Sequence, residues 1–151
     1  MRILTVCFVF LMVSLLFVNP VSAYRIVKAT ASSVEIQDSG KELLAKYAID
    51  GSMSTRWSSE FSDPQWLCLD LGSKKEINNI TLHWETAYAT VYEIQVSNDG
   101  QNWETVYTEN FGTGGVDSIT LNHPQTARFI RIYLIERGTE WGYSLWEVEV
   151  D

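Results

Sequence analysis

Apolar and polar residues alternate along most of this chain with the two-residue period of half-buried β-strands. Gln65 to Leu71 sets Leu67, Leu69 and Leu71 on one face against Trp66, Cys68 and Asp70 on the other. Ile77 to Glu85 repeats the pattern, with Ile80, Leu82 and Trp84 opposing Thr81, His83 and Glu85. Ile26–Ser33, Val91–Ser97, Trp103–Tyr107, Val116–Leu121, Phe129–Ile135 and Tyr143–Val150 bring the predicted strands to eight, and Leu43–Ala48 is predicted to make one helical turn. Gly72 is expected to end the strand at Leu71, Asn98–Asn102 to turn a hairpin, and His123–Pro124 to turn the chain. Short strands at turn-punctuated spacing predict an all-β fold, an antiparallel eight-stranded β-sandwich.

The N-terminus breaks the alternation. Met1–Arg2, an apolar block from Ile3 to Val18 and the small-x-small run Val21-Ser22-Ala23 read as a secretory signal peptide over residues 1–23. The block is short for a membrane span and no second apolar run of spanning length follows it. The expectation is a secreted, extracellular protein whose residues 24–151 form one domain without repeat or linker. Loss of Arg2 with the signal leaves ten basic residues against nineteen acidic, a net charge of −9. Such acidity excludes nucleic acid and disfavours anionic membranes as partners, and it suits a cationic polymer or a solvated exterior. Of the two cysteines, Cys7 lies in the signal, so Cys68 has no intrachain partner. It is read as a small buried hydrophobe or, if exposed, a cross-link in an oligomer.

Chemistry concentrates between Ala48 and Trp57, A-I-D-G-S-M-S-T-R-W. Asp50-Gly51 is a turn signal, and Asp50, Ser52 and Thr55 offer a carboxylate and two hydroxyls. That set either closes the turn with an Asx bond or, with backbone carbonyls, wraps a calcium ion. Arg56 adds a planar fork, and Trp57 either anchors the loop in the core or offers a flat face to a sugar. Phe61, Tyr88, Trp141 and Tyr143 stand in or beside loops with Glu35 and Glu85, the mixture of aromatic faces and polar forks that recognises carbohydrate. Trp141 is the foremost exposed candidate, whereas Trp57, Trp66, Trp84, Trp103 and Trp146 are assigned to core or half-buried structure.

For catalysis the chain offers two histidines, no G-x-S-x-G, no H-E-x-x-H and no phosphate-cradling loop. Glu35, Glu60, Glu85 and Glu140 lie in or beside loops, but spacing does not make any two a glycosidase pair. The chain is expected to be non-catalytic. Asn79-Ile80-Thr81 is an N-x-T acceptor at a predicted strand start.

Five runs occur in order: D-G-x-x-x-T-R-W from Asp50, D-P-Q-W-L-C-L-D-L-G from Asp63, Y-E-I-Q-V-S-N-D-G-Q-N-W from Tyr92, A-R-F-I-R-I from Ala127 and G-Y-S-L-W-E-V-E-V from Gly142. Together they resemble the discoidin, or coagulation factor 5/8 type C, domain, and within it carbohydrate-binding module family 32. The resemblance covers essentially all of residues 24–151. It implies a jelly-roll-like sandwich with a structural calcium and a ligand held by loops at one end. Asp50, Ser52 and Thr55 match the calcium loop, Tyr47 would add its carbonyl, and Glu147 matches the acid of the last strand, with Glu149 as the fallback. The subgroup pattern is similar to modules of chitosanases and β-glucanases. By that likeness Glu35, Arg56, Phe61 and Glu85 line a sugar pocket, joined here by Tyr88, Trp141 and Tyr143. The implied function is lectin-like binding of an amino-sugar or β-glucan chain. The alternative is an adhesion or matrix protein that contacts a protein partner.

Overall fold

The structure is a computed structural model that describes residues 23–151, so the expected signal peptide lies, but for Ala23, outside the described residues. Two long strands organise it. β3 (Gln65–Trp84) and β6 (Val116–Arg137) run antiparallel as one ribbon. Gln65 pairs with Leu134 and Asp70 with Phe129 in its first half; Asn79 pairs with Thr120 and His83 with Val116 in its second. Between the halves the register slips twice, between Asp70 and Lys75 and between Ile77 and Asn79, and there the ribbon folds over.

The two halves recruit different neighbours. β1 (Lys28–Ala31) pairs with Leu67–Asp70, while β4 (Ala89–Ser97) pairs with Phe129–Arg137 and carries β5 (Glu104–Glu109) on its outer edge. β7 (Ser144–Val150) pairs instead with Ile80–Trp84, and β2 (Trp57–Ser58) edges it. The result is an antiparallel β-sandwich whose layers share β3 and β6. Leu67, Leu69, Ile94, Ile130 and Ile132 from one layer meet Ile80, Leu82, Leu145 and Val148 from the other in a single core. The alternation that predicted the strands is thus the alternation that buries them.

Among the described residues seven strands replace the expected eight, because two predicted pairs fuse and Trp57–Ser58 adds a short one. Gly72 does not end a strand. At φ +80° it bends one, its N–H donating to Asp70 Oδ1 at 2.8 Å, while Arg128 forks onto both Asp70 oxygens at 2.9 Å. That guanidinium holds the Asp70 carboxyl below the usual carboxylate range. His123–Pro124 likewise falls within β6, in the slip where Ile77 pairs with Gln125 but Asn79 with Thr120. The helical turn is present as a 3₁₀ turn over Ala45–Ala48. Among the described residues no helix is long and apolar enough to cross a membrane.

Side chains flagged in the sequence find ordinary places here. Asn79 Nδ2 donates to Asp151 Oδ1 at 2.6 Å and its Oδ1 accepts from the Thr120 hydroxyl at 2.8 Å, so the acceptor amide is engaged at both ends. Cys68 is half-buried on β3, and burial pushes its thiol pKa up against the opposing charge of Arg131. Trp57 and Trp84 are buried, whereas Trp66, Trp103 and Trp146 are half-buried.

One polar group stands at the edge of the core. Asp117 Oδ2 accepts from Trp84 Nε1 and from the Tyr92 hydroxyl, each at 2.8 Å, where the two rings meet edge to face. Both donors belong to buried side chains, so losing the acceptor leaves them without water or partner. Asp117→Ala should cost roughly 2–6 kcal/mol in urea unfolding, at about 1–3 per stranded donor. A loss within experimental error would show that the donors find other partners.

Candidate functional site

The ribbon's ends and the short strands converge at one end of the sandwich. Ser58 pairs with Ser144, the Ser59 N–H donates to the Tyr143 carbonyl at 2.9 Å, and the Glu85 N–H donates to the Ser144 carbonyl at 3.0 Å. Loops around Glu35, Phe61, Glu85 and Trp141 are thereby held side by side. Between them opens a cleft of about 350 Å³ lined by Glu35, Arg56, Ser58, Phe61, Glu85, Thr86, Ala87 and Trp141.

Its aromatic side is a pair, Phe61 and Trp141, edge to face at 5.6 Å and 82°, and each is about half exposed. Such exposure of two large apolar rings is costly in water and suits a partner with a C–H face. Its polar side brings two carboxylates, Glu35 and Glu85, and one guanidinium. Glu85 Oε2 accepts from the Ala87 N–H at 3.2 Å, which sets the carboxylate against its own turn and leaves lone pairs for a ligand. Arg56 lies over the Trp146 ring at 5.7 Å, and its buried Nε has no partner among the described residues.

The wall is braced by a group that the sequence did not single out. Asp63 Oδ1 accepts from the Tyr143 hydroxyl and, at 3.1 Å, from Arg137 Nε, binding the Phe61 loop to the Trp141 loop. Arg137 Nη1 also donates to the carbonyls of Glu140 and Trp141. A Cβ on Gly142 would lie 2.6 Å from the Glu60 carbonyl oxygen, so only glycine lets the two loops touch. Ser33 ties in the third loop, donating to Gln65 Oε1 at 2.7 Å and accepting from the Glu60 N–H at 3.0 Å. D-P-Q-W was legible as a motif; that its Asp reaches across to Tyr143 and Arg137 was not.

Five predicted ligand residues therefore share the cleft: Glu35, Arg56, Phe61, Glu85 and Trp141. Two do not. Tyr143 is fully buried, its ring in the core and its hydroxyl on Asp63, and it is a brace rather than a contact. Burial, with Asp63 beside it, pushes its phenol pKa up. Tyr88 packs against the core with its ring lodged between Gly114 and Gly138, outside the cleft lining.

The predicted metal residues gather elsewhere, beneath the Asp50 loop. Asp50 accepts from the Ser52 N–H at 3.0 Å and the Thr55 hydroxyl at 2.6 Å, the geometry of an Asx-closed turn. Glu147 reaches the same loop, accepting from the Gly51 N–H at 3.1 Å, whereas Glu149 faces outward toward His83 at 3.8 Å. Burial, with Asp50 and Glu149 nearby, pushes the Glu147 carboxyl up to about 7. Tyr47 lies in the adjoining 3₁₀ turn. Among the described residues no three His, Cys, Asp or Glu side chains cluster, so any cation here would lean on two carboxylates plus hydroxyl and carbonyl oxygens.

The sequence profile of the F5/8 type C domain matches residues 28–148. The chain belongs to the F5/8 type C domain family. Chitosan-binding module 1 of a chitosanase/glucanase from Paenibacillus sp. IK-5 is 49% identical over 85% of this chain and 96% of its own, at a TM-score of 0.77. Module 2 of that enzyme, solved with chitotriose, is 42% identical over 85% and 97%, at 0.76. A family 32 module from Clostridium perfringens, solved with GalNAc-β-1,3-galactose, is 32% identical over 85% and 99%, at 0.75. The polysaccharide lyase 8 family protein HylA of Enterococcus faecalis is 39% identical over 93 residues, 60% of this chain, and the chain spans 7% of HylA's length. This F5/8 type C domain is thus built like a carbohydrate-binding module, and the likeness to HylA is confined to a small part of that protein.

Removing the brace tests the architecture of the cleft. Asp63→Ala strands the buried Tyr143 hydroxyl and should cost about 1–3 kcal/mol. Amide exchange should quicken in residues 59–63 and 137–142 and stay unchanged in the sheets. Unchanged protection of those loops would remove Asp63 from its role.

Proposed function

We propose that the domain is a non-catalytic binding module that captures a glucosamine residue of a chitosan-like chain in this cleft. The observation that carries the reading is the meeting of Glu35 and Glu85 with Arg56 and the Phe61–Trp141 pair in one cavity. A carboxylate forms a hydrogen-bonded ion pair with an ammonium, whereas a sugar hydroxyl offers it a hydrogen bond without the opposite charge. That extra attraction favours an amino sugar over a β-glucan. Arg56 supplies donors for the ring hydroxyls and the aromatic pair takes the C–H face. Similarity to the two Paenibacillus modules supports the same ligand class.

The chain is also read as exported, with residues 1–23 removed as a signal peptide, and as carrying a structural calcium away from the sugar. Asp50 and Glu147 would hold the ion with Ser52, Thr55 and the Tyr47 carbonyl. The chemistry of the donor set fits. Glu147 is a buried carboxyl beside a second carboxylate, with a single N–H as its hydrogen-bond partner, and a divalent cation relieves that repulsion.

Isothermal titration of the mature chain against glucosamine oligomers, laminarin oligomers and galactose tests the ligand. Heat is expected with the amino sugar, and Glu85→Ala or Trp141→Ala should abolish it while leaving the unfolding midpoint unchanged. Silence toward all three sugars would move the function to a protein partner. For the ion, millimolar calcium against chelator should raise Tm by several degrees, as linkage requires of a ligand of the folded state. Asp50→Ala should remove that rise, and a rise surviving in the variant would place the ion elsewhere.

A further inference from the structure

The cleft is one of two depressions that meet at Phe61. A second, of about 300 Å³, is lined by Val34, Glu35, Ile36, Glu60 and Phe61, so Glu35 and Phe61 border both. Its floor is aliphatic and aromatic, and its rim carries the exposed Glu60. Ile36 is 63% exposed, a large apolar side chain left in water directly beside a binding cleft.

That exposure is built in. The Ile36 segment is a tight hairpin: Ile36 bridges to Glu42, the Gln37 N–H donates to the Lys41 carbonyl at 2.9 Å, and the Leu43 N–H donates to the Glu35 carbonyl at 3.0 Å. The Glu35 N–H, in turn, donates to the Ser58 carbonyl at 2.7 Å. The hairpin is fastened to the floor of the cleft, so Ile36 is presented at a fixed place relative to Glu35 and Phe61.

We propose that this second depression is a subsite for the neighbouring residue of the same glucosamine chain. The inference rests on the reading of the cleft given above and extends it from one sugar to two. A pyranose offers a C–H face and a polar rim, which match the Ile36–Val34–Phe61 floor and the Glu60 carboxylate. The second ammonium of the chain then meets Glu60, while Glu35 stands between the two sugars and serves either. Continuity through Glu35 and Phe61 fixes the occupant: a chain leaving the cleft across the Phe61 ring enters this depression.

The test separates the two sites by ligand length. Chemical-shift titrations with glucosamine and with its trimer are made on the native domain, Ile36→Ser and Glu60→Gln, neither of which lines the first cleft. The native domain should bind the trimer at least about tenfold more tightly than the monomer. Both variants should keep monomer affinity within about twofold of native, while the trimer's advantage falls to roughly the factor of three that three equivalent sugars supply by counting. An unchanged advantage in both variants, or none in the native domain, overturns the subsite. Loss of monomer binding in the variants also overturns it, since Ile36 and Glu60 would then belong to the cleft itself. A native domain that binds no glucosamine of any length overturns the parent reading, and the subsite falls with it.

Discussion

The fold depends on one long antiparallel ribbon closing over its own apolar face. β3 and β6 are too long to lie in one flat layer and too apolar on one side to stay open. Folding the ribbon at the two register slips puts Leu67 and Leu69 in the same core as Ile80 and Leu82, and hydrophobic burial then holds both layers without a disulfide. Everything at the working end follows from that closure. The start and end of β3 arrive together, and the loops that leave them can touch.

Closure by itself makes a floor; polar ties make it a site. Asp63 joins two loops through Tyr143 and Arg137, and Ser33 joins a third through Gln65. Because these braces fix the loops to one another, they let Phe61 and Trp141 remain half exposed without collapsing onto the core. The arrangement keeps the affinity for a C–H surface available, at the cost of leaving apolar area in water until a ligand covers it. Fixed loops also spare the ligand the entropy of ordering them.

How far the chain could be read ahead of its structure differs between levels. Strand positions were legible because burial in a sandwich has period two, which Leu67, Leu69 and Leu71 keep before the bend and Ile80, Leu82 and Trp84 keep after it in the opposite phase. Strand ends were not. Gly72 and Pro124 look like terminators locally, yet hydrogen bonds to a partner with a compensating slip carry a strand through both. At the site, residue type combined with family pattern singled out Glu35, Arg56, Phe61, Glu85 and Trp141, which the structure gathers around one cleft. Tyr143 was misplaced because a loop-edge tyrosine has the same letters whether it faces a sugar or an aspartate 80 residues away. Asp63 was overlooked for the same reason, since its role is a long-range pairing that no local pattern encodes.

Charge connects the local chemistry to the whole molecule. A surplus of nine acidic charges over residues 24–151 would be a poor design for a neutral glucan, which gains nothing from it, and for an anionic polymer, which it repels. For a polycation it raises the local concentration of chain near the surface and speeds encounter before any contact forms. On the proposed reading the two carboxylates of the cleft convert that diffuse attraction into a fixed orientation, because they stand beside the Phe61–Trp141 pair. Under the proposed function, acidity that would otherwise serve solubility alone is the long-range part of the recognition that Glu35 and Glu85 complete at short range.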